Sequence, residues 1–566
     1  MLKEYEVVDR ETEQLKNAVF DVVIVGAGVS GAFLAWELGR RNVKVALIDQ
    51  ADFGSFTSAS SSKLLHGGIR YLQQLKFSKV YESARERARF INFAPNLPNS
   101  IPFVVPTYNT GLMKSRLALQ AGMAVYDLIC TFPNSKIVDG SKKILKGFYF
   151  NKRTLLEKIP LMKGAPGLTG GQFFYEAHMH SSERMTLELV KQAKINGACV
   201  VNYTKVESFS RSQSKIDGVN CKDQISGSAF SIRAKVVVNA AGPYIPQLSK
   251  VLGEQLYKPT TGYSKGMHLV TRQLDPQYAM ALVTKMKNEA LVSRGGRHIF
   301  IIPWRGRSLI GTTNEPFQSA DISSIPISEK EIQEFIDEIN SALPKAALNR
   351  EDVHYAFSGL YPLISEEVQS DTYQGTGEYQ IVDHAKQGGA EGVISMMGAK
   401  FTTAGKVANK TMQMVFSKLD SVQPPQDLFS EATEQWQAAS CDDLLCQLQQ
   451  KDLEVLPAET IVHLVTNYGF SAEDIIRRVK LAPEMGEKLA VARENILAEL
   501  YYCVEEERVC HLDDFIFRRT GLGTIGHPGN DCLKRCAKVL GDYKGWSDDD
   551  VANELDRVES RYCYDG

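Results

Sequence analysis

Three glycines with the spacing Gly26-x-Gly28-x-x-Gly31 follow the apolar run FDVVIV and open the run AFLAWELGRR. That spacing suits a turn built around an anion. The first glycine permits a tight bend, the second lets backbone approach a pyrophosphate, and the third lets a helix pack closely on a strand. A helix N-terminus just after the turn adds partial positive charge where phosphates would lie. Asp49 ends the run KVALID, 23 residues after Gly26, where a carboxylate can accept hydrogen bonds from both ribose hydroxyls. The chemistry is dinucleotide binding; a glycine-rich turn without a ligand is the other reading.

Two further segments decide which dinucleotide. AKVVVNAAGP (234–243) brings Gly242, and GVISMMGAKFTTAGKVANK (392–410) brings Gly398, with Thr402 and Thr403 where a helix would begin. A helix N-terminus aimed at a flavin pyrimidine would stabilise negative charge on the N1/C2-oxygen side of the reduced ring. Pieces so far apart suit one large FAD sheet better than a compact NAD domain. The Gly67-Gly68 pair ahead of Arg70 and Tyr71 could let backbone lie against the isoalloxazine. Oxidising a secondary alcohol with a flavin requires a hydride path, a base for the hydroxyl proton and positive charge for the developing alkoxide.

Elements must hold these residues. FDVVIV reads as a buried strand, AFLAWELGRR as a helix and KVALID as a second strand, apolar throughout as parallel strands covered on both faces tend to be. Short strands follow at RHIFIIPW (297–304) and RSLIGTT (307–313). The polar, proline-containing stretch 421–437 reads as a linker, and almost everything beyond it as helix. One helix ends at Gly469, a second spans 487–504, and a third spans 548–562 with Ser547 as N-cap. The predicted class is α/β, α+β overall. A Rossmann-like FAD-binding domain (20–75, 185–245 and 383–418) is interleaved with a mixed-sheet substrate domain (76–184 and 246–382), and an all-α domain covers 438–566.

The 566 residues exceed one domain of the usual ~100–200 residues. Lys plus Arg number 65 against 67 Asp plus Glu, a net charge of −2, which argues against a nucleic-acid-binding protein. None of the ten cysteines forms a C-x-x-C pair, so thiols rather than a metal site are expected. Residues 1–20 lack the apolar core of a signal peptide. The most apolar stretch, Phe20 to Trp36, is broken by Asp21 and three glycines and falls short of the ~20 residues of a membrane helix. A cytoplasmic protein is the expectation.

TSASSSKLLHGGIRYL (57–72) resembles the signature of FAD-dependent glycerol-3-phosphate dehydrogenases and oxidases. SKGMHLV (264–270), IPWRGRSLIGTT (302–313), SGLYPL (358–363), GAKFTT (398–403) and HLDDFIFRRTGLG (511–523) are similar to further family segments, in the same order. The resemblance implies FAD as cofactor and hydride transfer from sn-glycerol 3-phosphate to flavin N5, giving dihydroxyacetone phosphate. It implies Arg70 as charge clamp, Tyr71 in the substrate pocket, His268 as base, and Lys400 beside the flavin. A histidine simply hydrogen-bonded within a sheet is the alternative for His268. Gly67 joins the cofactor glycines. Ser61, Ser62, Lys63 and His66 either contact FAD through side chain or backbone, or form a polar turn packed beside it. Electrons would pass to a membrane quinone or to O2; peripheral contact with the inner membrane face and a homodimer are further expectations. Arg477, Arg478 and Lys480 in the tail interleave with acids, which reads as a solvated face rather than a membrane surface.

Two departures bear on substrate. Tyr361 stands where the family usually has Arg before Pro, and Ala404-Gly405 stand where Tyr-Arg usually follows Thr-Thr. Both absent arginines would belong to the polar substrate side, and charge-assisted bonds are worth ~1.5–3 kcal/mol each. Arg297, Arg294, Lys285 and Lys287 are candidates to substitute, with a surface-charge role as the other reading. Ser181-Ser182-Glu183-Arg184 replaces the family's Asp-Asp-Ala-Arg, and Arg184 reads as structural. Glycerol 3-phosphate is the first expected substrate. Another secondary alcohol, hydroxy acid or amine is the alternative, and a non-catalytic flavin-binding protein is a third.

Overall fold

The computed structural model describes residues 11–72, 75–108, 116–165, 167–253, 262–283, 298–319, 321–362, 379–398, 400–419 and 440–565. The expected linker and the candidate basic residues Lys285, Lys287, Arg294 and Arg297 lie outside the described residues, as does the side chain of Arg70.

Two sheets organise the chain. In the first, Cys199–Val201, Val45–Ile48, Val19–Val25, Ala229–Asn239 and Val393–Met397 run parallel, side by side in that order. Gln380–Asp383 adds an antiparallel edge, and the hairpin of Thr204–Ser212 and Lys215–Asp223 continues from Ala229–Asn239. The three glycine-turn segments therefore end next to one another at strand carboxyl ends, where open α/β sheets bind ligands. Burial follows from the two-residue period. Val22, Ile24, Leu47 and Val238 point under the helices Val29–Gly39, Ser182–Ile195 and Ala404–Phe416. Val23, Ala46, Ile48 and Val237 pack on the other face with hairpin residues Val206, Val219 and Ile232. A strand covered on both sides has no polar face, which is why FDVVIV shows no alternation.

Among the described residues the second sheet has ten strands, including Pro98–Tyr108, Leu168–Met179, Tyr263–Thr271 and Val353–Pro362. Its pairs are antiparallel except Ala279–Val283 with Pro98–Tyr108, so it is mixed, as expected. His298–Trp304 and Arg307–Gly311 form a hairpin through Arg305 and Gly306, both at positive φ, the twist a two-residue turn prefers. Met267, Leu269, Ile310 and Phe335 fill one face, where the helix Glu329–Ala342 packs. His268, between Met267 and Leu269, faces the opposite side.

Beyond residue 440 the described chain is helical, with Ala458–Tyr468, Ala472–Leu481, Leu497–Glu507, Asn530–Lys544 and Asp548–Glu559 as main elements. Gly469 ends the first at φ 56°, and Ser547 caps the last in a capping box with Asp550. The helix expected over 487–504 begins only at Leu497. Glu499 accepts from Ile496 N at 2.8 Å and from Asn495 Nδ2 at 3.2 Å, so this carboxylate closes the first turn and the residues before it form a loop.

Buried charge fastens this domain to the first sheet. Asp52 accepts from Arg519 Nη1 at 2.6 Å, Arg519 Nη2 at 2.8 Å and Arg518 Nε at 2.6 Å. Arg184 Nη1 donates to Glu507 at 2.6 Å, and Tyr203 OH to Asp514 at 2.6 Å. Arg477, Arg478 and Lys480 each pair with a carboxylate, of Asp474, Glu505 and Asp452. Among the described residues no helix is long and apolar enough to cross a membrane.

Candidate active site

The first turn has the geometry its glycines foretell. Gly26 holds φ 108°, and a Cβ there would lie 2.6 Å from the Ala240 carbonyl oxygen. A Cβ on Gly31 would fall 1.9 Å from the Gly26 oxygen. Gly398 approaches the same place from the third segment: its Cβ would sit 2.8 Å from Ser30 Oγ. Gly242, at φ 56°, has open space where a side chain would project. Three backbone turns thus meet around the start of the helix Val29–Gly39, leaving a cradle that side chains would fill. The site fits an FAD pyrophosphate.

Asp49 does more than await a ribose. Its Oδ2 accepts from Ala27 N at 2.7 Å and its Oδ1 from Ala51 N at 3.0 Å, so it stiffens the phosphate turn while each oxygen keeps a lone pair for a hydroxyl. Desolvation pushes its carboxyl up to about 6, against the pull of the Ala51 and Ala27 amides and with added repulsion from Asp52.

The serine-rich segment lies across the second sheet. Thr57 Oγ1 donates to the Leu360 carbonyl at 2.6 Å, Ser60 packs where a Gly359 side chain would be, and Ser62 Oγ meets His268 Nε2 at 2.8 Å. Ser61 Oγ accepts from Lys63 N at 3.1 Å. Lys63 itself, at φ 55°, turns its ammonium inward to Glu183 at 2.7 and 2.8 Å. Burial lowers its pKa and Glu183 raises it. The side chain of Lys63 is thereby committed to the protein. The glutamate of the altered Ser-Ser-Glu-Arg segment is its partner. Four residues past Ser62, His66 N donates to Thr402 Oγ1 at 3.3 Å, which ties this segment to the third turn; Thr403 Oγ1 turns to the Lys400 carbonyl.

His268 is 3% exposed and stacks on Phe357, ring centroids 5.0 Å apart. Its Nδ1 is buried without a hydrogen-bond partner among the described residues. Gly311 leaves it room, since a Cβ there would lie 2.1 Å from His268 Cδ2. Register places Phe357 opposite His268, Gly359 opposite Gly266, and Tyr361 opposite Ser264, so Tyr361 shares the face of His268. Its hydroxyl donates to Asn314 Oδ1 at 3.0 Å. Lys400 Nζ donates to the Tyr71 hydroxyl, and the short helix Ile69–Leu72 carries Arg70 and Tyr71.

Gly405 corrects an expectation. A Cβ there would lie 2.5 Å from Glu86 Oε2, 2.8 Å from Arg89 Nη1 and 3.0 Å from Phe33 Cζ. That direction leads into packed helices, not to the substrate side, and Arg89, bound to Glu37, fills the space with its own guanidinium. The absent arginine at 405 is a packing exchange. Sequence reasoning also passed over Glu176, Arg87 and Tyr126, which meet beneath Gly67. A glutamate beside the aromatic run FFY (173–175) of a buried strand was the available signal.

Residues 21–404 match the FAD dependent oxidoreductase family, and residues 426–551 match the C-terminal domain of alpha-glycerophosphate oxidase. The chain is 30% identical over 519 residues to the aerobic glycerol-3-phosphate dehydrogenase of Staphylococcus saprophyticus, covering 90% of this chain and 88% of that protein. It is 28% identical over 561 residues to the glycerol-3-phosphate dehydrogenase of a Synechocystis strain, covering 97% of each. The glycerol-3-phosphate dehydrogenase of Bacillus halodurans, solved with FAD, superposes with a TM-score of 0.74 at 25% identity, over 98% of this chain and 96% of that one. With both sheets, the glycine cradle and the helical domain matched along nearly the whole length, the chain belongs to the family of FAD-dependent glycerol-3-phosphate dehydrogenases and oxidases.

Proposed function

We propose that the protein oxidises sn-glycerol 3-phosphate to dihydroxyacetone phosphate. The observation that carries this reading is His268: a buried imidazole whose Nδ1 has no hydrogen-bond partner among the described residues, on the sheet face covered by the segment that also reaches the cofactor turns. Bound in the glycine cradle, FAD supplies the acceptor for the hydride of the substrate C2. His268 takes the hydroxyl proton, and Ser62 holds the ring through Nε2. The Lys400 ammonium, held at Tyr71, offers positive charge to the developing alkoxide. By the family resemblance, Arg70 is the charge clamp of the substrate pocket. Because Gly405 faces the helices, Tyr361 alone remains as a substrate-side departure, and another secondary alcohol is the less supported reading. Anaerobic bleaching of the flavin absorbance by millimolar glycerol 3-phosphate is the expected result. Bleaching by a different alcohol, with none by glycerol 3-phosphate, would reassign the substrate.

The electron acceptor follows from the surface in this reading. Leu128 and Phe132, 75% and 58% exposed, continue an apolar stripe from Leu117 and Val125 along the helix Arg116–Ser135, and Tyr81 stacks on Phe132. Exposed apolar area on the order of several hundred Å2 marks an interaction surface. Lys136 sits over the Phe132 ring. Of the nearby acids, Glu82 pairs with Lys406, Asp127 accepts from Gly147 N, and Asp139 caps Ser141. An apolar face with a lysine on its aromatic end fits an anionic lipid surface, the site of a lipid-soluble quinone. Sedimentation with phosphatidylglycerol vesicles is expected for the native protein and lost in Leu128→Glu/Phe132→Glu, with turnover on a soluble artificial acceptor unchanged. Equal sedimentation of both proteins would remove this surface from the proposal.

A further inference from the structure

The segment that presents Arg70 and Tyr71 is gripped from below by one buried carboxylate. Glu176, in the strand Leu168–Met179, accepts from Gly67 N at 2.7 Å and from Arg87 Nη1 with Oε2, and from Tyr126 OH at 2.8 Å with Oε1. All three side chains are almost wholly buried. Arg87 comes from the helix Phe77–Phe93 and Tyr126 from the helix Arg116–Ser135, so two helices and a strand converge on a single peptide N–H. The fit has no slack: a Cβ at Gly67 would lie 2.0 Å from Tyr126 OH and 2.7 Å from Arg87 Nη1. One residue earlier His66 is tied to Thr402, and one residue later Gly68 holds φ 82°. The helix Ile69–Leu72 starts there and brings Tyr71 to Lys400.

Such a cluster is a costly way to gain stability alone. Burying a carboxylate, a guanidinium and a phenol carries a desolvation penalty that apolar packing avoids. What the carboxylate provides, and an apolar side chain does not, is a fixed acceptor for the Gly67 amide while its other oxygen is locked by Tyr126. We propose that Glu176 is a positioning residue: through Gly67 it sets the distance of Arg70 and Tyr71 from the substrate and from the flavin ring. This rests on the reading of Arg70 and Tyr71 given above.

Glu176→Gln keeps the volume but replaces one acceptor oxygen with a donor, which must face Gly67 N and Arg87 or else Tyr126. In the FAD-loaded enzyme, a displacement of about 1 Å lowers kcat about 100-fold, FAD stays bound stoichiometrically, and the visible flavin bands shift before any substrate is added. Tyr126→Phe removes one donor to Glu176 and the longer of two acceptors of Arg87 but leaves Glu176 bound to Gly67 N and Arg87, so it shifts the bands in the same direction by less and lowers kcat less than 10-fold. A purely structural role would lower the melting temperature of both variants with unshifted bands, and that result overturns the proposal; so does a loss of kcat matched by an equal loss of bound FAD. Should Glu176→Gln not fold, Tyr126→Phe with native bands and native kcat overturns it as well. The bands are read without substrate. If glycerol 3-phosphate fails to reduce the native flavin, the substrate reading falls while the positioning role is still decided.

Discussion

His268→Asn lowers the rate of flavin reduction by about 100- to 10,000-fold, the range a positioned general base contributes, while FAD remains bound. Asparagine leaves Ser62 a polar partner, so the loss reports proton transfer rather than collapse of the sheet. Burial pushes the imidazole down to about 3, and the Lys63 charge adds to the effect. The neutral, proton-accepting ring is therefore the favoured form at neutral pH. An acid limb of kcat/KM set by His268 consequently falls well below the ordinary histidine value of ~6.5. The sign of the stability effect follows from the same shift. Between pH 6.5 and about 3 the unfolded chain protonates this ring and the folded chain resists, so the contribution is present above 6.5 and lost as pH falls toward 3. His178, also lowered to about 3 by burial and then by the Lys63 charge, acts the same way. Stopped-flow reduction of the variant at the native rate would remove His268 as base. Thermal melts of His268→Asn between pH 4 and pH 7 should show a shallower loss than the native protein.

Local signals carried most of the cofactor side. Gly26, Gly31 and Asp49 sit within one βα unit, where spacing along the chain and spacing in the fold are nearly the same thing, so their geometry was legible. The parallel sheet was legible for a related reason: strands covered on both faces must be apolar throughout, and FDVVIV and KVALID are. Residues whose role depends on a partner far along the chain were not. Lys63 belongs to a serine-rich turn in sequence and to Glu183 in space. Gly405 follows Thr402 and Thr403 in sequence, yet the direction of its missing side chain is set by Phe33, Glu86 and Arg89 on two other helices. The start of the helix at Leu497 was hidden because its cap is completed from inside the helix by Glu499 after a stretch of good helix formers.

The motif HLDDFIFRRTGLG is the strongest case of a sequence match whose physical role only the fold supplies, and Asp52→Asn tests it. Asp52 lies three residues past Asp49, and its carboxylate is fully buried between Arg518 and Arg519. Burial alone would raise its pKa, but the two guanidinium groups hold it well below the usual carboxylate range. Arg518 also reaches Asp513 at 3.0 Å and Asp514, whereas Arg519 is left with one amide oxygen at position 52 and the Glu507 carbonyl, and with no carboxylate in contact. The substitution therefore strands a buried cation at the junction of the cofactor sheet and the helical domain. Removing one partner of a buried pair costs ~3–5 kcal/mol, so the helical domain should unfold at clearly lower denaturant than in the native protein. Because Asp52 and the Asp49–Ala51 contact share one short loop, FAD affinity should fall together with docking. The native contribution is present above pH ~4 and lost as pH falls below it, so the two proteins should converge in stability as acid is added. A denaturation midpoint unchanged at pH 7 would mean that apolar packing, not the Asp52 clamp, holds the two domains together.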